Sequence, residues 1–184
     1  MTRSEPFQLL TSYLQTPNLI KHSLAVEAIM RSLANYFKQD QNLWGLVGLL
    51  HDIDYEITKD APEEHSLKGA EILKNLGFSE EVCEAIKTHN EIHNLVPQSL
   101  MAKALFVSDP LSGLIVAATL VLPSKKIIDL TPENILHRIH EKSFAKSVRR
   151  DHIEKCEEYL NLPLVDLIKI SLLAMQGINQ ELGL

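Results

Sequence analysis

Six side chains of this 184-residue chain are suited to holding divalent cations: His22, His51, Asp52, His65, His89 and Asp109. His51 and Asp52 are adjacent and close an apolar run from Leu46 to Leu50. Such a run goes into a core, and an imidazole and a carboxylate at its end must be paired, altered in protonation or bound to a metal. His22, His51, Asp52 and Asp109 would give one ion two imidazoles and two carboxylates. That set suits Mn, Fe, Co, Ni, Zn or Mg. Each residue also has a plainer explanation. Lone histidines on apolar faces are usually core residues with one hydrogen bond. Asp109-Pro110 is a common helix start, with aspartate at N-cap and proline at N1. His51-Asp52 alone could be a buried charge-assisted pair. Taken jointly, the residues favour a cation, because one or two ions satisfy what would otherwise need six separate arrangements.

Helices must position these groups, since almost every periodic segment has helical spacing. Leu9, Leu10, Tyr13 and Leu14 predict a short first helix that stops near Pro17. The next covers about 18–37, with His22, Val26, Ile29 and Leu33 on one stripe. A third spans about 40–50 and ends at His51-Asp52. A polar connection, 53–64, leads to helices over about 65–76 and 79–90. Val82, Ile86 and His89 share a face of the latter. A long helix over about 99–122 is expected to be interrupted by Pro110, which removes one backbone donor. Further helices are expected over about 133–142 and 146–160, with a last one from Pro163. Without repeats, strand-like alternation or a linker, the fold class is all-α, a single-domain helical bundle over 1–184. Its metal-binding core would be about 18–122, with C-terminal helices over about 123–184.

Composition excludes several function classes. The 45% hydrophobic and 23% charged content is that of a globular protein. Cys83 and Cys156 are too few for a disulfide scaffold and form no C-x-x-C pair. The N-terminal stretch does not have the pattern of a signal peptide. No apolar run is expected to reach the roughly 20 residues that span a bilayer. The expected setting is cytoplasmic, with no membrane partner. A net charge of −6 argues against a nucleic-acid polymer as partner.

His22, the His51-Asp52 dyad and Asp109 resemble the H…HD…D signature of the HD superfamily of metal-dependent phosphohydrolases, in its HDIG-like branch. The resemblance covers about 18–122. The segments His65-Ser66-Leu67-Lys68-Gly69-Ala70 and Ala85-Ile86-Lys87-Thr88-His89 are similar to the additional histidine segments of binuclear HD proteins. Those include the HD-GYP phosphodiesterases and the HD-type dinucleoside tetraphosphate hydrolases. The resemblance then implies that Asp52 bridges two ions and that His65 and His89 serve the second. His93, one turn beyond His89, could substitute for it, but His89 has the apolar face. The string His51-Asp52-Ile53-Asp54-Tyr55-Glu56 and the later Pro123-Ser124-Lys125-Lys126 resemble predicted HD hydrolases without a settled substrate. HD-GYP proteins carry glycine then lysine where this chain has Asp54 and Tyr55, so cyclic-dinucleotide hydrolysis is not expected.

The chemistry this implies is hydrolysis of a phosphoester or phosphoanhydride, with Asp52 central and metal-activated water as nucleophile. Asp54 or Glu56 could accept a proton from that water; otherwise both belong to a solvated acidic loop. The expected substrate is a small phosphorylated molecule, a nucleotide first. The alternative is a regulatory or ligand-binding HD module with little catalysis. An anionic substrate needs local positive charge. Lys125, Lys126, Arg138, Lys142, Lys146, Arg149 and Arg150 make 125–150 net +4. Lys125, Lys126 and Arg149 are the candidate substrate contacts; the plain alternative is a pair of basic helix faces.

Overall fold

Pro17 sets the frame. It occupies the first turn of helix α2, Pro17–Tyr36, where its missing N–H costs nothing. The preceding helix α1, Ser4–Tyr13, ends just before it. The computed structural model describes residues 4–184, so the first three positions of the expected domain lie outside the described residues. Helix α3, Gln41–Leu50, starts on Asp40, whose carboxylate accepts from the amides of Asn42 and Leu43 at 2.8 and 3.1 Å. Helix α2 buries Val26, Ile29 and Leu33, α3 buries Val47 and Leu50, and the two helices pack on each other. Burial of each such side chain is worth about 1.5–3 kcal/mol, which fixes the rotation of both helices.

Gly48 allows the close approach. A Cβ there would lie 2.8 Å from the carbonyl oxygen of Val26 in α2. A helical turn, α4 (Tyr55–Thr58), follows within the connection read as plain loop. Helices α5 (Leu67–Asn75) and α6 (Glu80–His89) form a hairpin. Ser79 caps α6, and Glu80 and Glu81 in its first turn complement the helix dipole. A 3-10 turn, Glu91–His93, follows.

The central element is α7, Leu100–Leu120, which packs against α2, α6 and every longer helix that follows it. It runs through Pro110 without interruption, correcting the expected break. Leu111, Leu114 and Ile115 are fully buried on its inner side and hold the helix in place. By length and composition α7 could cross a bilayer, which also corrects the expectation that no run is long enough. Here 61% of its most apolar stretch is buried against other helices.

Helix α8, Pro132–His140, opens with a Thr131–Asn134 capping box. The helix expected over 146–160 is instead two pieces, α9 (Arg150–Ile153) and α10 (Cys156–Leu160). Arg150 explains the loop before them. Its guanidinium donates to the carbonyls of Arg138, Ile139, Glu141, Phe144, Ala145 and Val148. It thus closes the end of α8 and is not a surface cation. Helices α11 (Leu164–Gln176) and α12 (Asn179–Leu182) return to pack on α2. No strand occurs among the described residues.

Candidate metal centre

The six predicted ligands converge on one cleft. Each comes from a different place: His22 from α2, His51 and Asp52 from the end of α3, His65 from just before α5, His89 from the last turn of α6, and Asp109 from mid-α7. Asp109 is interior to its helix and so is not an N-cap; its carboxylate faces α2.

Asp52 stands between two groups of donors. Its Oδ2 lies 3.4 Å from His51 Nε2 and 3.6 Å from His22 Nε2. Asp109 Oδ1 completes that side, 3.0 Å from His22 Nε2 and 3.7 Å from His51 Nε2. Asp52 Oδ1 faces the other way, 3.3 Å from His65 Nε2 and 3.4 Å from His89 Nε2. Ligand atoms about 2.1 Å from a shared ion stand about 3.0–3.5 Å apart. The donor atoms of His22, His51 and Asp109, and those of His51, Asp52 and His89, lie within 4.8 Å of one another, so each group could close on a cation.

The hydrogen bonds behind the imidazoles test whether a cation fits. His51 Nδ1–H donates to the Gly48 carbonyl at 2.8 Å, and His89 Nδ1–H to the Ile86 carbonyl at 2.6 Å. Ser112 Oγ gives its single proton to the Asp109 carbonyl at 2.8 Å, so at 3.2 Å it accepts from His22 Nδ1–H. His65 Nδ1 donates to Asp54 Oδ1 at 3.0 Å. Every Nδ1 thereby carries a proton and is committed, which leaves the four Nε2 atoms as the ones turned to the cleft and free to hold a cation. These point at two carboxylates, and His22 Nε2 and His51 Nε2 are only 3.2 Å apart. Such a set repels itself unless protons or cations lie within it.

The electrostatics agree. Burial opposes charge on His51, but Asp52 and Asp109 outweigh it and hold its pKa well above the usual value. Burial likewise opposes charge on His65, yet Asp52 and Asp54 push its pKa up to about 9. Against their own burial, Asp52 is held well below the carboxylate range by His51, and Asp109 by His22 and His51.

Asp54, one of the two acids that could accept a proton from the attacking water, has its oxygens committed elsewhere. It is fully buried, and Oδ2 accepts from the amides of Ser66 and Gly69, both at 2.8 Å. With Oδ1 on His65, it positions that ring. Ser66 adopts φ 70°, a left-handed conformation held by Asp54 and by its own Oγ on the Lys87 carbonyl. Glu56 is also committed, accepting from the amides of Gln15 and Thr16 at 3.0 and 2.7 Å. It joins α4 to the start of α2 at the solvent-exposed surface, whereas Asp54 is buried. His93 Nε2 lies 2.7 Å from the His65 carbonyl, to which it donates, so it buttresses His65 and does not face Asp52.

The cleft around Asp52 has a volume of about 460 Å³, and Leu19, Tyr55, Glu91, Ser147 and Arg149 form its outer wall. Arg149 is paired in bidentate fashion with Asp151, at 3.0 and 2.7 Å, and with Glu91. Lys125 and Lys126 do not line it. They follow the far end of α7, and the rise from Asp109 to Leu120 alone is about 17 Å. Sequence reasoning missed Ser112 and the positioning role of Asp54. The signal for Ser112 was its spacing, three residues from Asp109 on one helix face.

A family model described as "HD domain" matches residues 19–114. Ribonuclease Y of Oleidesulfovibrio alaskensis is 32% identical over 103 residues, covering 56% of this chain and 19% of that protein. Ribonuclease Y of Lawsonia intracellularis is 33% identical over the same shares, and that of Clostridium botulinum 35%. The chain thus spans about a fifth of the length of these curated relatives.

Proposed function

The chain belongs to the HD-domain family, and from that premise we propose that it hydrolyses a phosphoester or phosphoanhydride of a small molecule, a nucleotide first. HD domains are in general metal-dependent phosphohydrolases. One observation carries the proposal for this chain: the two oxygens of Asp52 serve two separate imidazole groups. His22, His51, Asp109 and Asp52 Oδ2 would hold one divalent ion, and His65, His89 and Asp52 Oδ1 a second. Ions held there would draw charge from a phosphoryl oxygen and acidify bound water.

The chain's own groups do the remaining work. Asp52 and Asp109 offset cationic charge while the neutral imidazoles add none. Asp54 keeps His65 Nε2 bare. Leu19 and Tyr55 wall the cleft. Arg149 is placed to receive a phosphate oxygen in exchange for Glu91. With Arg149 as the one lysine or arginine lining the cleft among the described residues, no row of such cations tracks a polymer backbone. A net charge of −6 supports the same choice of a small substrate over RNA, on which the relatives' name bears. A cytoplasmic setting goes with this reading, supported by two buried free cysteines.

One observation favours the alternative, a regulatory HD module with little catalysis. Arg149 is already paired with two carboxylates, which a substrate must displace. Metal analysis of the purified chain, then nucleotides and phosphomonoesters with Mn or Co, separates the readings. Expected are bound metal and turnover that Asp52→Ala abolishes. Metal binding with no turnover anywhere in the panel would leave the regulatory module.

A further inference from the structure

A second cavity, of about 370 Å³, adjoins the metal centre and shares His22 with it. It lies between α2 and α7. Its α7 side is Gly113, Val116 and Leu120, which continue the face of Asp109 at steps of four, three and four residues. Its α2 side is Asn18, Lys21 and His22. The groove therefore starts at His22, one turn along α7 from Asp109, and its α7 wall runs from Gly113 to Leu120, about 10 Å along the helix. Its volume lies within the range of about 300–1,000 Å³ usual for small-molecule sites.

Three features mark it as built to receive a group. Gly113 leaves the wall open, since an added Cβ would have no atom within 4 Å. Lys21 has no carboxylate within ion-pair distance among the described residues. Its Nζ lies against Gly183, where a Cβ would come within 3.0 Å, and Gly183 has φ 71°. Val116, Leu120 and Leu182 supply the apolar surface.

Resting on the hydrolase reading above, we propose that this groove holds the nucleoside of a nucleoside monophosphate whose phosphate sits at the metal centre. The aliphatic walls cover the faces of the ring system. Lys21 and Asn18 donate to its carbonyl, ring-nitrogen or hydroxyl acceptors. Inorganic and compact phosphates would reach the metal centre without using the groove.

The test is calorimetric titration of the full chain with adenosine, guanosine, cytidine and uridine, which need no hydrolysis to bind. At least one should bind. Gly113→Leu, which fills the groove, should weaken it about tenfold or more. Lys21→Ala should weaken it too, and stands as the second variant if Gly113→Leu folds poorly. Bound metal per chain should remain that of the wild type in both. In turnover, the ratio of kcat/KM for the matching monophosphate to that for pyrophosphate should fall in both. No nucleoside binding to the wild type, or binding unchanged in both variants, overturns the proposal. Binding that responds to both variants with no turnover of any monophosphate would keep the groove and defeat the hydrolase reading instead. Turnover of monophosphates that neither variant alters would do the reverse.

Discussion

Asp54 decides which nitrogen His65 offers to the cleft. Its carboxylate accepts three hydrogen bonds at 2.8–3.0 Å, two from backbone and one from His65 Nδ1. Asparagine is isosteric but has only one acceptor oxygen. In Asp54→Asn, that oxygen can keep the Ser66 and Gly69 amides only if the amide group then donates to His65 Nδ1. The ring proton would move to Nε2 and point at Asp52, where a ligand lone pair is needed. We expect Asp54→Asn to stay folded and to bind one ion as the wild type does, with the second weakened about 10–100-fold. Metal titration with Mn reads this directly, and two ions held at wild-type affinity would refute the positioning role. His65→Ala and His89→Ala should affect the same ion only, because each removes a neutral ligand. Asp52→Ala should empty both positions, since it removes the carboxylate shared between them. One ion per chain in the wild type, kept in His65→Ala and His89→Ala, would make the centre mononuclear.

Helices bring these residues together, and two glycines show how tightly. Gly48 and Gly113 are both inside helices, where alanine is ordinarily favoured by about 1 kcal/mol. At Gly48 a Cβ meets the backbone of α2 at Val26, whereas at Gly113 it meets nothing within 4 Å. Alanine should therefore act with opposite signs. Gly48→Ala should cost about 1–3 kcal/mol in denaturant unfolding and weaken metal binding by separating His22 from His51. Gly113→Ala should be neutral or stabilising. Equal effects at the two positions would mean that the α2–α3 contact does not limit the site. The same level shows what the sequence could carry. The stripe His22, Val26, Ile29 and Leu33 placed His22 on an inner face, and the helix starts expected near 40, 79 and 99 coincide with helices that the structure caps with Asp40, Ser79 and Ser99. Pro110 misled, because burial of Leu111, Leu114 and Ile115 outweighs one lost hydrogen bond. Arg150 misled differently: its charge suggested a surface, and only the loop's path brings six carbonyls around it. The reach of Lys125 and Lys126 was likewise invisible, since spacing along α7 does not say which end of the helix holds the cleft.

For the whole molecule, the centre ties α2, α3, α6, α7 and the start of α5 to one point, so its charge state should govern stability. Without metal, protons are the only cations available to the four imidazoles and two carboxylates. His51 and His65 are raised, His65 to about 9, so their contribution is complete below the unfolded value of about 6.5. For His65 it is lost as pH rises through about 9, and for His51 it is lost at a pH well above that unfolded value. Asp52 and Asp109 are lowered, so their contribution is present above about 4 and lost at lower pH. The chelated protein should thus be most stable between about pH 4 and 6.5 and weaken towards pH 9. Metal changes only the alkaline side. Deprotonated imidazoles are better ligands, so a bound cation replaces the departing protons, and binding to the folded state stabilises it. The gain in Tm on adding Mn should therefore grow from pH 6 to pH 9. Thermal melts of chelated and Mn-loaded protein at those two pH values provide the measurement. A chelated protein as stable at pH 9 as at pH 6, or a metal-induced gain that does not rise with pH, would mean that these side chains do not share one exchangeable cation site.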